Sequence, residues 1–401
     1  MDLNAFRSLL TPAGQEALQA ASELSPRALD FLRHFQALSR RYPPDLARAA
    51  LEIAILRLEA AAKFPFADRM YLTREAMEQA SSWEVASYRT QRYAPFDRII
   101  DLGCSIGSDT IALAKIAPTV GIDLDPLRLA MVQTNQKVLN LPNRASFIRA
   151  DLTIPLPLSP APQHPALFFD PARRTAHKRA FSVREYTPPL SIVKNWLADF
   201  PALGVKISPG VKLNELANYD AEIEFISLRG SLKEAVLWFG PLKRNSRRAA
   251  VLPGPHVLET DLPPGELVTL KLPLNEPLAH LYEPDPAVLR AGLVYQLGEQ
   301  LDAYQLDPDI AYLTTSELKS TPFTRSWRVE DWFPFGLKRL RAYLRQRSVG
   351  RVTVKKRGSP LQPEALIHDL RLKGDQEQVV FLTHLSGEPI VIVCFSEYES
   401  I

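Results

Sequence analysis

Cysteine is scarce in this chain: of 401 residues only Cys104 and Cys394 carry thiols. They sit far apart and show no metal-ligand spacing, so no metal is expected and a reducing cytoplasm is the expected compartment. Cys104 falls inside a glycine turn and reads as a small packing residue rather than a nucleophile. Long apolar runs are also absent. No stretch reaches about eighteen apolar residues, which excludes a membrane-spanning helix. The opening MDLNAFRSLLTPAG lacks a charged segment followed by a long apolar core, so no secretory signal is expected. Excess charge is missing too. With a formal net charge of +3, any surface built for a polyanion has to be local. No internal repeat is visible.

The apolar content of 46% supports a proper core, and the length suits two or three domains. The chain is organised around residues 97–125, DRIIDLGCSIGSDTIALAKIAPTVGIDLD. Ile99 and Ile100 end an apolar run that stops at Asp101-Leu102-Gly103. Gly103 and Gly107 bracket a tight turn, where glycine permits positive φ and close approach of a ligand. Residues from Asp109 to Ile116 then carry apolar side chains at helical spacing. A second strand ends at Asp123, about twenty residues past the first glycine, the distance at which an acid reaches nucleotide ribose hydroxyls. A dinucleotide site prefers G-x-G-x-x-G, with pyrophosphate over the helix N-terminus. Here Ser105 stands where the middle glycine would fall, and Asp101 stands at the strand end. A carboxylate there repels pyrophosphate and suits the ammonium of a methionine moiety.

Residues 1–90 read as helical. Thr11-Pro12 and Ser25-Pro26 pair an N-cap with a first-turn proline, and Pro44-Asp45 opens a further helix. Thr73 suits one helix start, and Ser81 with Glu84 has capping-box spacing for the next, which would present Val85, Tyr88 and Arg92 to the following domain. From Phe96, strands and helices alternate. Strands are expected at Ala145 to Ile148, Ala166 to Phe169 and Gly204 to Ser208, with a helix from Leu190 to Asp199 and an irregular proline-rich loop from Pro155 to Pro165. A hairpin joins Ala221 to Leu228 and Glu234 to Phe239 through Arg229-Gly230-Ser231. Alternating βα units ending in a hairpin imply an α/β doubly wound sheet with one reversed strand. Past a second hairpin in AAVLPGPHVLET, helical patterning returns from Asp285 to Tyr304. The last block, from about Trp332, reads as a small α+β unit. Its helices are expected at Gly336 to Gln346 and Pro363 to Leu370, and its strands at Val352 to Lys356, Val379 to His384 and Pro389 to Phe395.

Four consecutive strands end in acids: Asp101, Asp123, Asp151 and Asp170. Ligands of such sheets lie outside the carboxyl strand ends. Asp101 suits a methionine end, Asp123 a ribose diol and Asp151 an adenine amine, while Asp170 lies where an acceptor arrives. Helix capping competes with these roles, most strongly at Asp151 and at Asp109.

DLGCSIG, GIDLDP and the acid at Asp151 resemble motifs of class I S-adenosylmethionine-dependent methyltransferases. The segment YLTREAMEQASSWEVASYRTQRY is similar to the one preceding the glycine turn in trimethylguanosine synthases, which makes Thr73 and Arg74 candidate lid residues. The whole chain most resembles bacterial class I methyltransferases with a C-terminal THUMP-like domain, which pair FTRE-type and DPARR motifs. The resemblance implies a Rossmann-like seven-stranded sheet over residues 91–282, an N-terminal helical domain over 1–90, and a small C-terminal α+β THUMP-like domain over 283–401. It implies S-adenosyl-L-methionine as cofactor, held by Thr73, Asp101, Gly103, Ser105, Gly107, Asp123, Leu124, Asp151 and Leu152. Exocyclic-amine methyltransferases show Asp/Asn/Ser-Pro-Pro-aromatic, with the aromatic stacked on the base. This chain has Asp170-Pro171-Ala172-Arg173, so Asp170, Pro171 and Arg173 are the catalytic candidates, and Arg173 would lie over a base or pair with a phosphate.

Methyl transfer is an in-line displacement governed by positioning. The proton of an amine acceptor can leave after transfer, so His177 is read as part of a basic loop rather than as a base. Basic residues concentrate at Arg173 to Arg179 and Lys338 to Arg357, the latter without an acid between Trp332 and Pro363. Arg174, Lys178, Lys338, Arg341, Arg345, Lys355, Lys356 and Arg357 are the RNA-binding candidates. Lys243, Arg244, Arg247 and Arg248 are expected to extend that surface. A solvated helix face is the competing account of these charges. Three functions stay open: a methyltransferase acting on a base of structured RNA, an exocyclic amine favoured; a methyltransferase for a small molecule or protein; and a non-catalytic RNA-binding protein that retains the cofactor.

Overall fold

The computed structural model describes every residue except 141–144, 155–164, 173, 176–177, 180–181 and 396–401, with backbone alone at 174–175, 178–179 and 264. The chain divides into two compact units, Met1–Glu222 with Glu234–Arg244, and Ile223–Lys233 with Asn245–Ile401.

The first unit opens with helices α1 (Leu3–Leu9), α2 (Pro12–Glu23), α3 (Phe31–Leu38) and α4 (Pro44–Ala60). Thr11 caps α2 as expected, accepting from Gly14 N at 3.2 Å. Ser25-Pro26 does not open α3. Ser25 takes φ 45°, whereas a capping residue needs an extended backbone, so α3 starts later, after a 3₁₀ turn at Ala28–Asp30. Ala47, Leu51 and Ala54 recur at helical spacing on the buried face of α4. Helices α5 (Arg74–Gln79) and α6 (Trp83–Thr90) follow, with Thr73 capping α5. The capping box at Ser81 does not form. Ser82 is the N-cap of α6, and the Ser81 hydroxyl instead donates to Glu234 Oε2 at 3.1 Å.

Next come β1 (Ile99–Leu102), α7 (Ser108–Ala114), β2 (Thr119–Asp123), α8 (Pro126–Val138), β3 (Ala145–Arg149) and β4 (Ala166–Phe169). A two-residue pair, β5 (Arg174–Thr175) and β6 (Lys178–Arg179), precedes β7 (Leu203–Ile207), β8 (Glu222–Leu228) and β9 (Ser231–Phe239). Strands of this unit are ordered β9-β7-β4-β1-β2-β3. All neighbours are parallel except β7 and β9. Every residue of β1 and β4 is buried, as expected for strands covered on both faces. The register pairs Leu102 with Ile122 and with Phe169, which brings the carboxyl ends of β1, β2 and β4 level. Strands form at all seven positions expected, β1 to β4 and β7 to β9. The β8–β9 turn is tighter than expected, with Arg229 and Gly230 alone at φ 50° and 72°. The helix expected from Leu190 to Asp199 is a 3₁₀ turn, Leu190–Ile192, running into Val193–Leu197.

In the second unit β10 (Arg247–Leu252) pairs in parallel with β8 and in a hairpin with β11 (His256–Thr260). A seven-stranded sheet follows, built from β12 (His280–Pro284), β13 (Tyr304–Asp307), β14 (Ile310–Thr315), β15 (Thr324–Pro334), β16 (Val349–Lys356), β17 (Gln376–Leu385) and β18 (Glu388–Phe395). Their order is β13-β14-β12-β15-β18-β17-β16. Pattern reading misses β12 to β15 and finds only the helical residues among them, now Pro286–Ala291 and Val294–Leu301. In β15 a bulge between Val329 and Asp331 breaks the period-two alternation that marks a strand. Helices Leu337–Gln346 and Pro363–Leu370 bury Leu340, Leu344, Leu366 and Leu370 against Val380 and Val391. A separate cluster packs Trp327 edge-on to Phe381, with their ring centroids 4.9 Å apart.

Candidate active site

The turn between β1 and α7 is held by main-chain bonds: Gly103 N and Cys104 N both donate to Ile122 O, at 2.8 and 3.0 Å. Gly103 has φ 85°, and a Cβ there would lie 2.9 Å from Asp170 O. Gly107 has φ 91°, and its Cβ would meet Val132 Cγ2 at 2.2 Å. Both positions therefore need glycine, one for conformation and closeness to β4, the other for packing against α8. Buried Asn135 of α8 ties the turn to the segment before α5. Its side chain donates to Ile106 O and Tyr71 O, both at 3.1 Å, and accepts from Tyr71 N at 2.7 Å.

The four acids have different surroundings. Asp101 is 1% exposed, and one of its oxygens accepts from the Thr110 hydroxyl. Its other oxygen, Oδ1, is buried and has no hydrogen-bond partner among the described residues. Burial, with the Asp109 charge added, raises the Asp101 carboxyl to about pKa 8. Asp123 accepts from Ser105 N at 2.8 Å and Asp125 N at 2.9 Å, while Ser105 itself sits at φ 50°. Asp151 accepts from Thr153 N and Oγ1, bonds that lower its pKa, and its side chain is open to solvent. Asp170 Oδ2 accepts from Lys206 Nζ at 2.7 Å, and the same ammonium donates to Gln79 O at 3.2 Å.

Behind Asp101 lies a buried ionic network that sequence reading missed. Arg89 of α6 is 2% exposed and pairs with both Asp109 and Glu234, with its guanidinium 4.4 Å from the Phe168 ring centre. Burial alone would lower the Arg89 pKa, but Glu234 and Asp109 outweigh it and raise the value. Burial raises Asp109. Asp109 thus serves as an ion-pair partner within α7 rather than as its cap, a place taken by Gly107. Arg92 pairs with buried Glu222 at 2.9 Å. The signals for this network and for the Lys206–Asp170 pair were faint: one lysine inside the apolar strand GVKIS, and one acid beside the apolar run AVLWF.

A family model described as THUMP domain-like matches residues 324–395, and a domain of unknown function matches residues 2–60. An uncharacterized S-adenosylmethionine-dependent methyltransferase from Mycobacterium tuberculosis is 33% identical over 355 residues, covering 86% of this chain and 94% of the relative. The chain belongs to the S-adenosylmethionine-dependent methyltransferases. A trimethylguanosine synthase from Schizosaccharomyces pombe is 36% identical over 55 residues, 14% of this chain and 23% of that protein. The crystal structure of a methyltransferase from Porphyromonas gingivalis has the same fold, with TM-score 0.79 and 20% identity over 96% of this chain and 99% of that one.

The methyltransferase takes S-adenosyl-L-methionine as cofactor, and the residues present fit it. A buried carboxylate oxygen that has no hydrogen-bond partner among the described residues, Asp101 Oδ1, suits an ammonium. Thr73 is half-buried and accepts from Ala76 N at 3.2 Å, while Arg74 points outward to Glu59. Leu124 is 55% exposed, Leu152 is half-buried and Pro171 is buried. Arg173 and His177 lie outside the described residues, as does most of the proline-rich loop, and of Arg174 and Lys178 only the backbone is described. Among the described residues no group of His, Cys, Asp or Glu gathers as a metal site, and no helix is long and apolar enough to cross a membrane.

The basic candidates of the second unit divide by environment. Lys338 and Arg345 are exposed on helix Leu337–Gln346, with Arg345 donating to Arg371 O, and half-buried Arg341 donates to Asp369 O. Lys356 is exposed and bonds Gln362. Lys355 and Arg357 turn toward Glu283 and stack over Trp327 and Tyr312. In the third basic group Lys243 and Arg244 are exposed. Lys243 pairs with Asp220, Arg248 with Glu224 and Glu259, and Arg247 is buried.

Proposed function

We propose that this methyltransferase modifies a base of structured RNA, an exocyclic amine being the favoured acceptor. The observation carrying this reading is helix Leu337–Gln346 of the THUMP-like segment. It buries Leu340 and Leu344, turns Lys338, Arg339 and Arg345 outward, and lies in a stretch with no acid between Trp332 and Pro363. Such a face suits phosphate contacts. The short match to a trimethylguanosine synthase, an enzyme named for guanosine, agrees with it.

Within this reading, residues 1–90 form a helical domain, 91–282 the catalytic domain and 283–401 the RNA-gripping domain. Asp101 holds the cofactor ammonium, Asp123 the ribose diol and Asp151 the adenine amine. Gly103, Ser105 and Gly107 shape the cradle, which Thr73, Leu124 and Leu152 border. When bound, the cofactor supplies an electrophilic methyl group. Asp170 accepts a hydrogen bond from the acceptor amine and aims its lone pair, and Lys206 holds that carboxylate in place. Pro171 contributes its carbonyl, and Arg173 meets the base or its phosphate. Two buried free cysteines accord with a reducing cytoplasm.

A second reading has its own support. Asp170-Pro171-Ala172-Arg173 lacks a stacking aromatic, and the Asp170 carboxylate already carries an ammonium partner, which fits an acceptor other than a base amine. Nucleoside mass spectrometry on RNA from deletion and wild-type strains decides between them. A methylated nucleoside lost on deletion, and restored by purified protein with labelled cofactor, is the expected result. Transfer of label to metabolites or proteins alone would replace the RNA reading.

A further inference from the structure

The corner between α5 and α6 is held by two lysines from elsewhere in the first unit. Lys63, just past α4, donates from Nζ to Met77 O at 2.8 Å, Glu78 O at 3.0 Å and Ala80 O at 3.1 Å. Lys206 takes the carbonyl among them that Lys63 leaves, donating to Gln79 O at 3.2 Å. These are carbonyls that the end of a helix leaves without a partner, and cations there suit the helix dipole. The main chain of Lys63 holds the other side of the corner, its carbonyl accepting from Trp83 N at 2.9 Å as α6 begins. One residue therefore ties the end of α5 to the start of α6. Between them the Ser81 hydroxyl, bonded to Glu234, pins the turn.

This corner bears on the acceptor side of the site. Lys206 Nζ divides its donors between Gln79 O and Asp170 Oδ2, and its side chain is 3% exposed. An ammonium so deeply buried stays where its acceptors are, because water does not replace a lost partner. A shift of Gln79 O therefore carries Lys206 with it, and the Asp170 carboxylate along with that ammonium. We propose that Lys63 is a positioning residue for methyl transfer, holding the corner whose Gln79 carbonyl fixes Lys206 against Asp170. The segment that follows α1 to α4 thereby acts on the acceptor side through a chain of contacts, beyond its part in packing. The proposal rests on the reading of Asp170 as the residue that meets the acceptor, and adds what keeps it in register.

Transfer from labelled cofactor to RNA of a deletion strain gives kcat and KM, and calorimetry gives cofactor affinity. A misplacement of about 1 Å can cost about a hundredfold, so Lys63→Met should lower kcat at least about tenfold, with KM and cofactor affinity little changed. Lys63→Arg, which keeps the charge and the donors, should recover part of the rate. Lys63→Gln replaces Lys63→Met if the latter does not fold. Leu38→Ala opens a cavity at a buried leucine of α3, and should lower the melting midpoint while sparing kcat. A wild-type kcat in Lys63→Met overturns the proposal, and so does an equal loss of kcat in Leu38→Ala. A cycle of urea midpoints over Lys63→Met and Asp170→Asn needs no substrate. The double variant should depart from the sum of the single shifts, and additive shifts overturn the proposal. If the wild type labels no RNA, the RNA reading fails by itself and this cycle decides the role of Lys63.

Discussion

Lys206 Nζ lies 2.7 Å from Asp170 Oδ2, an ammonium from inside β7 meeting the carboxylate that follows β4. The side chain of Lys206 is 3% exposed and that of Asp170 19%. Most of the lysine is therefore out of water, and its pairing with Asp170 is what makes that burial tolerable.

Replacing Lys206 by Met leaves Asp170 without its cation. Breaking a buried pair costs about 3–5 kcal/mol, and the remaining exposure of Asp170 puts this case at the lower end. Urea denaturation should read that loss, and adding Asp170→Asn should restore part of it. In transfer assays Asp170→Ala should abolish turnover and spare cofactor binding measured by calorimetry. Equal loss of both would remove Asp170 from the acceptor side.

Asp123→Ala should weaken cofactor binding by more than tenfold, since a charge-assisted hydrogen bond is worth roughly 1.5–3 kcal/mol. The same carboxylate also anchors Ser105 N and Asp125 N, so Asp123→Asn is the informative partner variant. If Asp123→Asn binds as tightly as the wild type, charge at this position plays no part.

The raised pKa of Asp101 links protons to stability and, where Asp101 holds the cofactor ammonium as proposed, to binding. Its folded-state value of about 8 lies above the unfolded value of about 3.9, so between those pH values the folded protein holds a proton that the unfolded chain has released. Stability should fall as pH rises through that window, and Asp101→Asn should remove this part of the slope. Binding a cofactor ammonium favours the ionised carboxylate. Calorimetry at pH 7 in buffers of different ionisation enthalpy should therefore register release of close to one proton per cofactor, and none with Asp101→Asn.

Arg89→Met strands two buried carboxylates, Asp109 and Glu234. A loss of about 3–5 kcal/mol is expected, read as a fall in thermal midpoint. An unchanged midpoint would mean that the two acids take up protons at little cost.

Gly107→Ala meets two obstacles at once, a left-handed backbone and Val132 Cγ2 at 2.2 Å. Differential scanning calorimetry should show a lower midpoint than for Gly265→Ala, where a Cβ meets nothing within 4 Å.

Local rules carried much of the architecture. Thr11 and Thr73 cap the helices that their positions suggest, because capping is a matter of a few neighbouring atoms. The alternation of apolar runs with glycine turns located β1, β2 and β4 to within a residue or two; Asp101 lies one residue inside the end of β1, Asp123 ends β2, and Asp151 and Asp170 follow β3 and β4. Local rules failed where a partner distant in sequence took over. Ser81 was drawn to Glu234 rather than to its own helix, and the bulge in β15 erased a strand pattern.

The order of residues by itself determined the nucleotide-type turn, the strand-end carboxylates and the basic composition of residues 338–357, since each depends on spacing within a short window. Only the tertiary structure decided which charges are already neutralised. Arg89 reaches Asp109 and Glu234, Lys206 reaches Asp170, and Lys355 reaches Glu283 across 20, 145, 36 and 72 residues of chain respectively. Coulomb interaction depends on distance and dielectric in space, and the linear sequence carries neither.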